Sequence, residues 1–192
     1  MTVDPGRQVW LVRHGETEWS RDGRHTGRTD VPLTGVGRDQ AKRLGTRIGG
    51  HRFALVMTSP RSRAGETATL AGFGDVAVTD PDLAEWDYGA LEGRRSVEIV
   101  ADYPGWTIWT GPWPGGETVG EVSARADRVL ARCGTSEGDA LLFGHGHMLR
   151  VVAARWLGLP GGSGALFGLS TATVSVLGWE HGRPIIETWN EA

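Results

Sequence analysis

The chain has 192 residues, 39% of them hydrophobic, and a formal net charge of -3 at pH 7. This length and apolar content predict one domain, residues 1–192, with its own core. A single cysteine excludes an intrachain disulfide framework, and a mildly acidic chain that lacks an apolar N-terminal run argues against nucleic-acid and membrane partners. We therefore expect a cytoplasmic protein with a small ligand.

The first predicted element is a short buried strand over residues 9–12, which is followed by Arg13, His14 and Gly15. Because Gly15 breaks the strand, His14 is predicted at its carboxyl end, the edge of an open α/β sheet where ligands bind. Arg13 offers a planar cationic donor to phosphate oxygens, and a neutral imidazole can attack phosphorus. Taken alone, this tripeptide favours the alternative of a hydrogen-bonded structural histidine.

A second segment repeats this pattern of strand, turn and helix. Residues 53–57 are a predicted strand that leads into Ser59 as a helix N-cap and Pro60 at the first helical position. Arg61 and Arg63 then fall in the opening turn of the helix. The second junction therefore also places cationic side chains after a strand.

A third segment has a predicted strand over residues 140–143, a turn with Gly144 and Gly146, and a helix that begins near His147. If the three strands are neighbours in a parallel sheet, their junctions face one crevice, where helix N-termini add partial positive charge. In a chain of net negative charge, such a cationic cluster predicts a small anionic ligand. The side chains concerned are Arg13, His14, Arg61, Arg63, His145 and His147.

The rest of the chain predicts two further helices and two further strands, which define the fold class. Helices are predicted over residues 35–49 and from Val119, where Thr118 and Glu121 form a capping box and Glu121 can pair with Arg125. Strands over residues 172–179 and 185–189, joined by a turn over 181–184, predict an antiparallel hairpin, with fraying at residues 1–7 and 190–192. Cys133 lies on the apolar face of its helix. We expect an α/β fold with a mostly parallel sheet, one antiparallel edge region and helices on both faces, in three layers.

Five motifs, in their order and spacing, resemble the histidine phosphatase superfamily, which includes cofactor-dependent phosphoglycerate mutases and many phosphatases. They are LVRHGETEW, HTGRTDVPLT, TSPRSRAGETA, LAEWDYGALEG and FGHGHMLR, and they cover roughly residues 9–160. The last two, with PWPGGET, look closest to the branch that holds acid phosphatases and sedoheptulose bisphosphatases. The resemblance implies the three-layer fold of the phosphoglycerate mutases and a small phosphorylated metabolite as substrate.

The resemblance also implies roles for particular residues. His14 becomes transiently phosphorylated, Arg13, Arg63 and His145 form the phosphate pocket, and Glu85 acts as acid and base. These groups need neither metal nor cofactor, because guanidinium and imidazolium groups stabilise the transferring phosphoryl group. The pair His145 and His147, with His14 and His25, can alternatively be interpreted as a metal site. The expected substrate-binding residues are Ser20, Thr26, Gly27, Gly146, Trp86 and Tyr88.

The segment between Glu85 and the capping box contains Trp106, Trp109 and Trp113 and no Lys or Arg over residues 103–118. The tryptophans fit either an aromatic cap on the active site or a satellite core under a loop. Mutases carry a longer, basic insert here, and Ser96 stands where a mutase lysine is expected. We therefore expect a phosphatase, with a phosphoglycerate mutase and a non-catalytic phospho-ligand module as alternatives.

Two further expectations concern titration and assembly. Nucleophilic attack requires a neutral His14, whereas His145 serves the pocket best when charged, so their pKa values are expected to be pushed apart. A sheet edge near the C-terminal hairpin makes a homodimer an open possibility.

Overall fold

A computed structural model describes residues 6–192, and its centre is a six-stranded sheet with the order β3-β2-β4-β1-β5-β6. β4 lies between β1 and β2 and is parallel to both, with Leu142 paired to Leu11 on one side and to Met57 on the other. The expected neighbourhood of the three strands is therefore confirmed. The strands are β1 (Val9–Arg13), β2 (Leu55–Thr58), β3 (Val78–Thr79), β4 (Ala140–Gly144), β5 (Val174–Glu180) and β6 (Arg183–Glu191).

The expected antiparallel edge is confirmed, because β5 runs antiparallel to β1, and β6 runs antiparallel to β5. The turn is shorter than predicted, since β6 already begins at Arg183. The predicted fraying at residues 190–191 is wrong, because β6 runs to Glu191. The backbone N–H of Asn190 donates to Ser175 Oγ (2.9 Å), and its side-chain Oδ1 accepts from the N–H of Ser170 (2.6 Å). The predicted fraying of residues 1–5 lies outside the described residues.

Helices cover both faces of the sheet, as the sequence predicts. Alternate strand residues pack into two separate cores, one shared with α2 and α3 and the other with α5 and α6. None of the helices in residues 6–192 combines the length and apolar composition needed to cross a bilayer. The helices are α1 (Glu18–Asp22), α2 (Gly35–Ile48), α3 (Ser62–Leu70), α4 (Ser96–Asp102), α5 (Val119–Thr135) and α6 (Gly146–Trp156), with short 3-10 turns at Pro81–Leu83, Gly89–Leu91 and Gly161–Leu166.

Helix α5 begins at the predicted residue, and the capping box of Thr118 and Glu121 is confirmed. The predicted pairing of Glu121 with Arg125 is wrong: Arg125 instead binds Glu117, with 2.7 Å between Nη2 and Oε2. Cys133 is buried in the core, and burial raises the pKa of its thiol to about 12, as expected for a packing residue.

The junction after β2 differs from the prediction in two details. β2 begins at Leu55, and α3 begins at Ser62 with Arg61 at the N-cap position, so Ser59 and Pro60 precede the helix. Ser59 is not a helix cap, because its Oγ accepts from the backbone N–H of Arg61 (3.2 Å) and lies 2.6 Å from His145 Nε2. This serine therefore connects two of the three junctions.

Candidate active site

A cavity of about 180 Å³ opens at the carboxyl ends of the parallel strands, where His14 follows β1 and Gly146 begins α6 after β4. The lining residues are Arg13, His14, Ser20, Gly23, Arg24, His25, Thr26, Glu85, Tyr88, Gly146, His147, Arg150 and Leu169.

His14 is held in one tautomer by the residue that follows it. Its Nδ1 lies 2.7 Å from the carbonyl oxygen of Gly15, which only accepts, so Nδ1 carries the proton and Nε2 keeps its lone pair. The backbone here is tightly packed, because a Cβ at Gly15 would lie 2.3 Å from the carbonyl oxygen of Gly37. The N–H of Gly15 also donates to Thr67 Oγ1 (3.1 Å). Glycine is thus required where the chain presents the imidazole.

His14 is also held in its neutral form. Burial lowers its pKa well below the usual 6.5, and the positive charges of Arg13 and Arg63 lower it further. Only 5% of the residue's surface is exposed. A neutral imidazole with a bare Nε2 in a pocket of positive charge is the form that attacks phosphorus.

Two guanidinium groups beside His14 retain unused donors. Arg13 donates from Nη1 to the carbonyl oxygen of Leu169, and Arg63 donates to the carbonyl oxygens of Thr26 (2.9 Å) and Thr29 (3.0 Å). The buried Nε atoms of Arg13 and Arg63 have no hydrogen-bond partner within residues 6–192. Buried donors of this kind are costly unless they serve a ligand, so they fit an anion.

His145 is fully buried next to His14, and the two ring centroids are 5.1 Å apart. Its Nε2 is bonded to Ser59 Oγ, whereas its buried Nδ1 has no partner among the described residues. Burial and the positive charge of Arg63 lower its pKa well below 6.5. The pKa values of both histidines are therefore lowered, because both rings are buried among the same arginines, and the charged form expected for His145 is disfavoured.

Glu85 is fixed by backbone donors at the start of α6. Its Oε1 accepts from the N–H groups of Trp86 and Met148 (both 2.9 Å), and its Oε2 accepts from that of His147 (3.0 Å). Helix α6 receives no cap from the side chain of its N-cap residue, His145. Glu85 therefore caps α6 from a separate segment, which places its carboxylate at the helix N-terminus and on the cavity wall.

The segment that carries Glu85 is itself anchored by an ion pair that sequence reasoning missed. Arg125 donates to the carbonyl oxygens of Asp82 (2.7 Å) and Ala84 (2.8 Å). Its partner Glu117 accepts from the N–H of Asp87 (2.9 Å). Arg125 and Glu117 are distant in sequence from most of the backbone groups that they bind, so no local sequence pattern predicts these contacts.

The predicted substrate-binding residues divide into two groups. Ser20, Thr26, Gly146 and Tyr88 line the cavity, and a Cβ at Gly146 would lie 3.3 Å from Arg13 Cζ. Gly27 and Trp86 are not among the residues that line this cavity, and their role in substrate binding stays a prediction. The N–H of Gly27 donates to the Glu92 carboxylate, and the fully buried Trp86 donates from Nε1 to the carbonyl oxygen of Glu117 (2.7 Å).

The three tryptophans of the insert join the main core on the α5 and α6 side of the sheet, so they form neither the expected cap nor a separate satellite core. Trp106 is buried, and the rings of Trp109 and Trp113 pack against Trp86 with centroid distances of 5.8 and 6.3 Å. None of the three lines the cavity formed by the described residues. Their contacts instead support the wall that carries Glu85 and His147, because Trp109 also meets the ring of His147 at 5.3 Å.

His147 lies on the cavity wall in a hydrogen-bonded pair. Tyr88 Oη lies 2.6 Å from His147 Nδ1, and both groups are held neutral because burial raises the pKa of Tyr88 well above 10 and lowers that of His147 well below 6.5. His25 stacks on the same imidazole, with 5.8 Å between centroids. Across residues 6–192, no group of three or more His, Cys, Asp or Glu side chains is arranged to hold a metal ion.

Comparison with known proteins places this geometry in context. A family model described as the histidine phosphatase superfamily (branch 1) matches residues 9–192. An acid phosphatase of Mycobacterium tuberculosis is 44% identical over 179 residues, which cover 91% of this chain and 88% of that protein. A sedoheptulose 1,7-bisphosphatase of Saccharomyces cerevisiae is 37% identical over 182 residues, which cover 78% of this chain and 67% of that protein.

A protein of Salmonella choleraesuis named as a probable phosphoglycerate mutase is 31% identical over 192 residues, covering 95% of this chain and 89% of that protein. A solved structure of a Mycobacterium tuberculosis open reading frame superposes with a TM-score of 0.92 at 39% identity, covering 97% of this chain and 98% of that chain. The relatives carry the names of phosphatases and of a mutase, so the choice between these reactions depends on the site.

Proposed function

Because this chain belongs to the histidine phosphatase superfamily, as its five motifs indicated, we propose that it hydrolyses small phosphomonoesters without a metal ion, through a phosphohistidine on His14. One observation carries the proposal: a neutral His14, with its proton on Nδ1, lines the same cavity as a fixed carboxylate and Arg13, whose buried Nε is unpaired. The proposed substrates are phosphorylated sugars and similar metabolites.

In the first step, the lone pair of His14 Nε2 forms a bond to phosphorus while the ester P–O bond breaks. The leaving oxygen takes a proton from the carboxyl group of Glu85 and departs as an alcohol. Charge on the three equatorial oxygens is stabilised by Arg13 and Arg63, whose free Nε atoms are the donors available to it. His145 adds a further donor through Nδ1, and bound phosphate would favour its charged form.

In the second step, a water molecule attacks phosphorus and gives a proton to the Glu85 carboxylate. The bond from Nε2 to phosphorus breaks, and inorganic phosphate leaves with the imidazole neutral again. The Nδ1 hydrogen bond to Gly15 keeps the ring in one orientation through both steps. The backbone donors around Glu85 keep the acid and base on the same wall throughout.

The absence of basic side chains from residues 103–118 favours hydrolysis over mutase chemistry. A mutase must retain a doubly phosphorylated intermediate while it turns, which requires further cationic contacts and exclusion of water. Similarity to a protein named as a probable phosphoglycerate mutase keeps that isomerase as the second candidate.

Phosphate release from p-nitrophenyl phosphate in the presence of EDTA tests the proposal, with His14→Ala as the inactive variant and His51→Ala as a control. His51 pairs with Asp139 outside the cavity, so its removal should leave turnover unchanged. A coupled enolase assay with phosphoglycerate and bisphosphoglycerate primer measures the mutase reaction. Undiminished hydrolysis by His14→Ala, or mutase turnover faster than hydrolysis, would contradict the proposal.

A further inference from the structure

A half-buried carboxylate next to the phosphate pocket takes no part in either step of the reaction. Glu92 follows the 3-10 turn of residues 89–91 and does not line the cavity. Within residues 6–192 its carboxylate has no cationic partner and accepts only backbone hydrogen bonds. Its Oε1 accepts from the N–H groups of Gly27 (2.9 Å) and Thr29 (3.0 Å), and its Oε2 accepts from that of Gly27 (3.0 Å).

These two N–H groups belong to a loop, residues 25–32, that has no regular secondary structure. Thr26 in this loop lines the cavity. The loop approaches Glu92 closely, because a Cβ at Gly27 would lie 2.8 Å from Glu92 Oε2 and 2.5 Å from the carbonyl oxygen of Trp86. The glycine therefore allows the loop backbone to reach the carboxylate.

The carbonyl groups of the same loop hold the guanidinium of Arg63. Its Nη1 donates to the carbonyl oxygen of Thr29 (3.0 Å) and its Nη2 to that of Thr26 (2.9 Å). The side chain is fully buried, and its Nε has no partner among the described residues. The two carbonyl groups therefore fix the orientation of the guanidinium, and with it the direction of the N–H that is left for phosphate.

One peptide group joins Glu92 to Arg63. The N–H of Gly27, which donates to Glu92, and the carbonyl oxygen of Thr26, which accepts from Arg63, belong to the same peptide. This peptide is trans, so its N–H and carbonyl groups point to opposite sides. Hydrogen bonds in such a chain strengthen one another by polarisation. Glu92 thus acts on Arg63 from the far side of the loop.

We propose that Glu92 is a positioning residue of the phosphate pocket, which holds Arg63 through the peptide between Thr26 and Gly27 so that Nε of Arg63 donates to the phosphoryl group. This inference rests on the proposed function and adds to it a residue that does not contact the substrate. Glu92 therefore sets the affinity for phosphate, whereas proton transfer to the leaving group depends on Glu85.

Isothermal titration calorimetry with inorganic phosphate measures this affinity without turnover. Glu92→Ala should raise the Kd about tenfold, the value of a hydrogen bond to a charged group. A direct electrostatic effect has the opposite sign, because removal of a negative charge near an anion strengthens anion binding. Glu121→Ala is the matched control, since exposed Glu121 accepts from the N–H of Thr118 (2.8 Å) outside the cavity, and it should leave the Kd unchanged.

Two conservative variants separate geometry from charge. Glu92→Gln keeps Oε1, the oxygen that accepts from both N–H groups, and should bind phosphate within about threefold of the wild-type protein. Glu92→Asp keeps the charge, but its side chain is one methylene shorter and does not reach both groups. It should therefore weaken phosphate binding more than Glu92→Gln does, and the reverse order would contradict positioning.

A double-mutant cycle tests whether Glu92 acts through Arg63. The measured quantity is kcat/KM for p-nitrophenyl phosphate, which covers the steps up to phosphoryl transfer to His14. Glu92→Ala should lower it about tenfold in the wild-type background and have no effect in Arg63→Met, where no guanidinium remains to be positioned. An alkyl phosphate should be slowed by the same factor, because Glu85 keeps its place.

Two results overturn the inference: a Kd for phosphate that is unchanged or lower in Glu92→Ala, or an equal loss of kcat/KM in both backgrounds of the cycle. A purely structural role of Glu92 gives the first result together with a lower Tm, since the protein that remains folded then binds phosphate normally. Failure of the proposed function is different, because the wild-type protein would then bind phosphate yet release none from p-nitrophenyl phosphate.

Discussion

The cavity has two walls that are constructed in opposite ways. The side of the cavity around His14 leaves buried donors unpaired within the described part of the chain: Nε of Arg13 on the lining itself, and Nε of Arg63 and Nδ1 of His145, which are fully buried and do not line the cavity. On the wall around Glu85, both carboxylate oxygens accept backbone hydrogen bonds, and the ion pair of Arg125 and Glu117 holds the flanking carbonyl and N–H groups.

This difference separates two tasks. A buried donor without a partner costs about 1–3 kcal/mol, so the first wall is destabilised until an anion satisfies it. The carboxylate oxygens of the second wall already have hydrogen-bond partners, so a ligand does not stabilise this wall further. Its contribution is to hold the Glu85 carboxylate in a fixed place. Affinity for phosphate therefore comes from the wall of His14, and accurate proton transfer comes from the wall of Glu85.

The largest effect is expected from substitutions in the second wall, at Glu85 itself or at Arg125, which positions it. Glu85→Gln should slow transfer of the phosphoryl group from an alkyl phosphate to His14 by about 10²–10⁴-fold, the usual contribution of a general acid, and transfer from p-nitrophenyl phosphate much less, since nitrophenolate leaves without a proton. Arg125→Met should show the same dependence on the leaving group with a smaller loss, because Arg125 acts by positioning Glu85. Single-turnover rates of leaving-group release measure this first step for the two substrates, separately from hydrolysis of the phosphohistidine, in which Glu85 is the base for both.

Arg128→Met is the matched control for Arg125, because Arg128 is exposed and binds only the side chain of Asp82. It should leave both substrates unaffected. Equal losses for alkyl and aryl phosphates in Arg125→Met would mean that this arginine serves the fold alone, and the account of the second wall would then be wrong.

A smaller effect is expected from satisfying the first wall. Inorganic phosphate at a hundred times its Kd should stabilise the protein by about 2.7 kcal/mol, which raises the Tm of a chain of this size by roughly 5–10 °C. Differential scanning calorimetry with and without phosphate measures the shift. In Arg13→Met the shift should largely disappear, and an equal shift in that variant would place the anion elsewhere.

The smallest effect concerns the pH dependence of stability that comes from His25, which lines the cavity and stacks on His147. Burial lowers its pKa to about 4, so between pH 6.5 and that value the unfolded chain binds a proton that the folded chain does not. The free energy of unfolding therefore decreases as the pH is lowered through this window. His25 contributes a decrease of about 1.4 kcal/mol between pH 7.5 and pH 5.5. Urea denaturation at both pH values should show a loss smaller by that amount in His25→Gln. If the loss of unfolding free energy between the two pH values were the same in His25→Gln as in the wild-type protein, His25 would not be buried and neutral.

The sequence predicted the first wall better than the second. His14, Arg63 and His145 each follow a strand and a turn, and such local patterns identify both the element and its end. Parallel pairing of β1, β4 and β2 then brings the three junctions together. The position of Ser59 was mistaken because its local pattern also fits a helix cap, whereas its partner His145 is distant in sequence.

The second wall depends on contacts that have no local signature. Trp86 follows Glu85 directly and was expected in the cavity, yet its ring turns into the core to meet Trp109 and Trp113. Arg125 fits an i,i+4 pair with Glu121 on the helix, but Glu121 is already used by the capping box. Burial of the His145 ring, which reverses the expected pKa direction, likewise follows only from packing.

Direct trapping of the phosphoenzyme tests the central claim, that His14 Nε2 receives the phosphoryl group. The protein is mixed with p-nitrophenyl phosphate, quenched in alkaline detergent and analysed by intact mass and peptide mapping. The account predicts one added phosphoryl group on His14 that is stable in base and lost in acid, and none in His14→Gln. Steady turnover by His14→Gln, or a phosphoryl group on another residue of the wild-type protein, would contradict it.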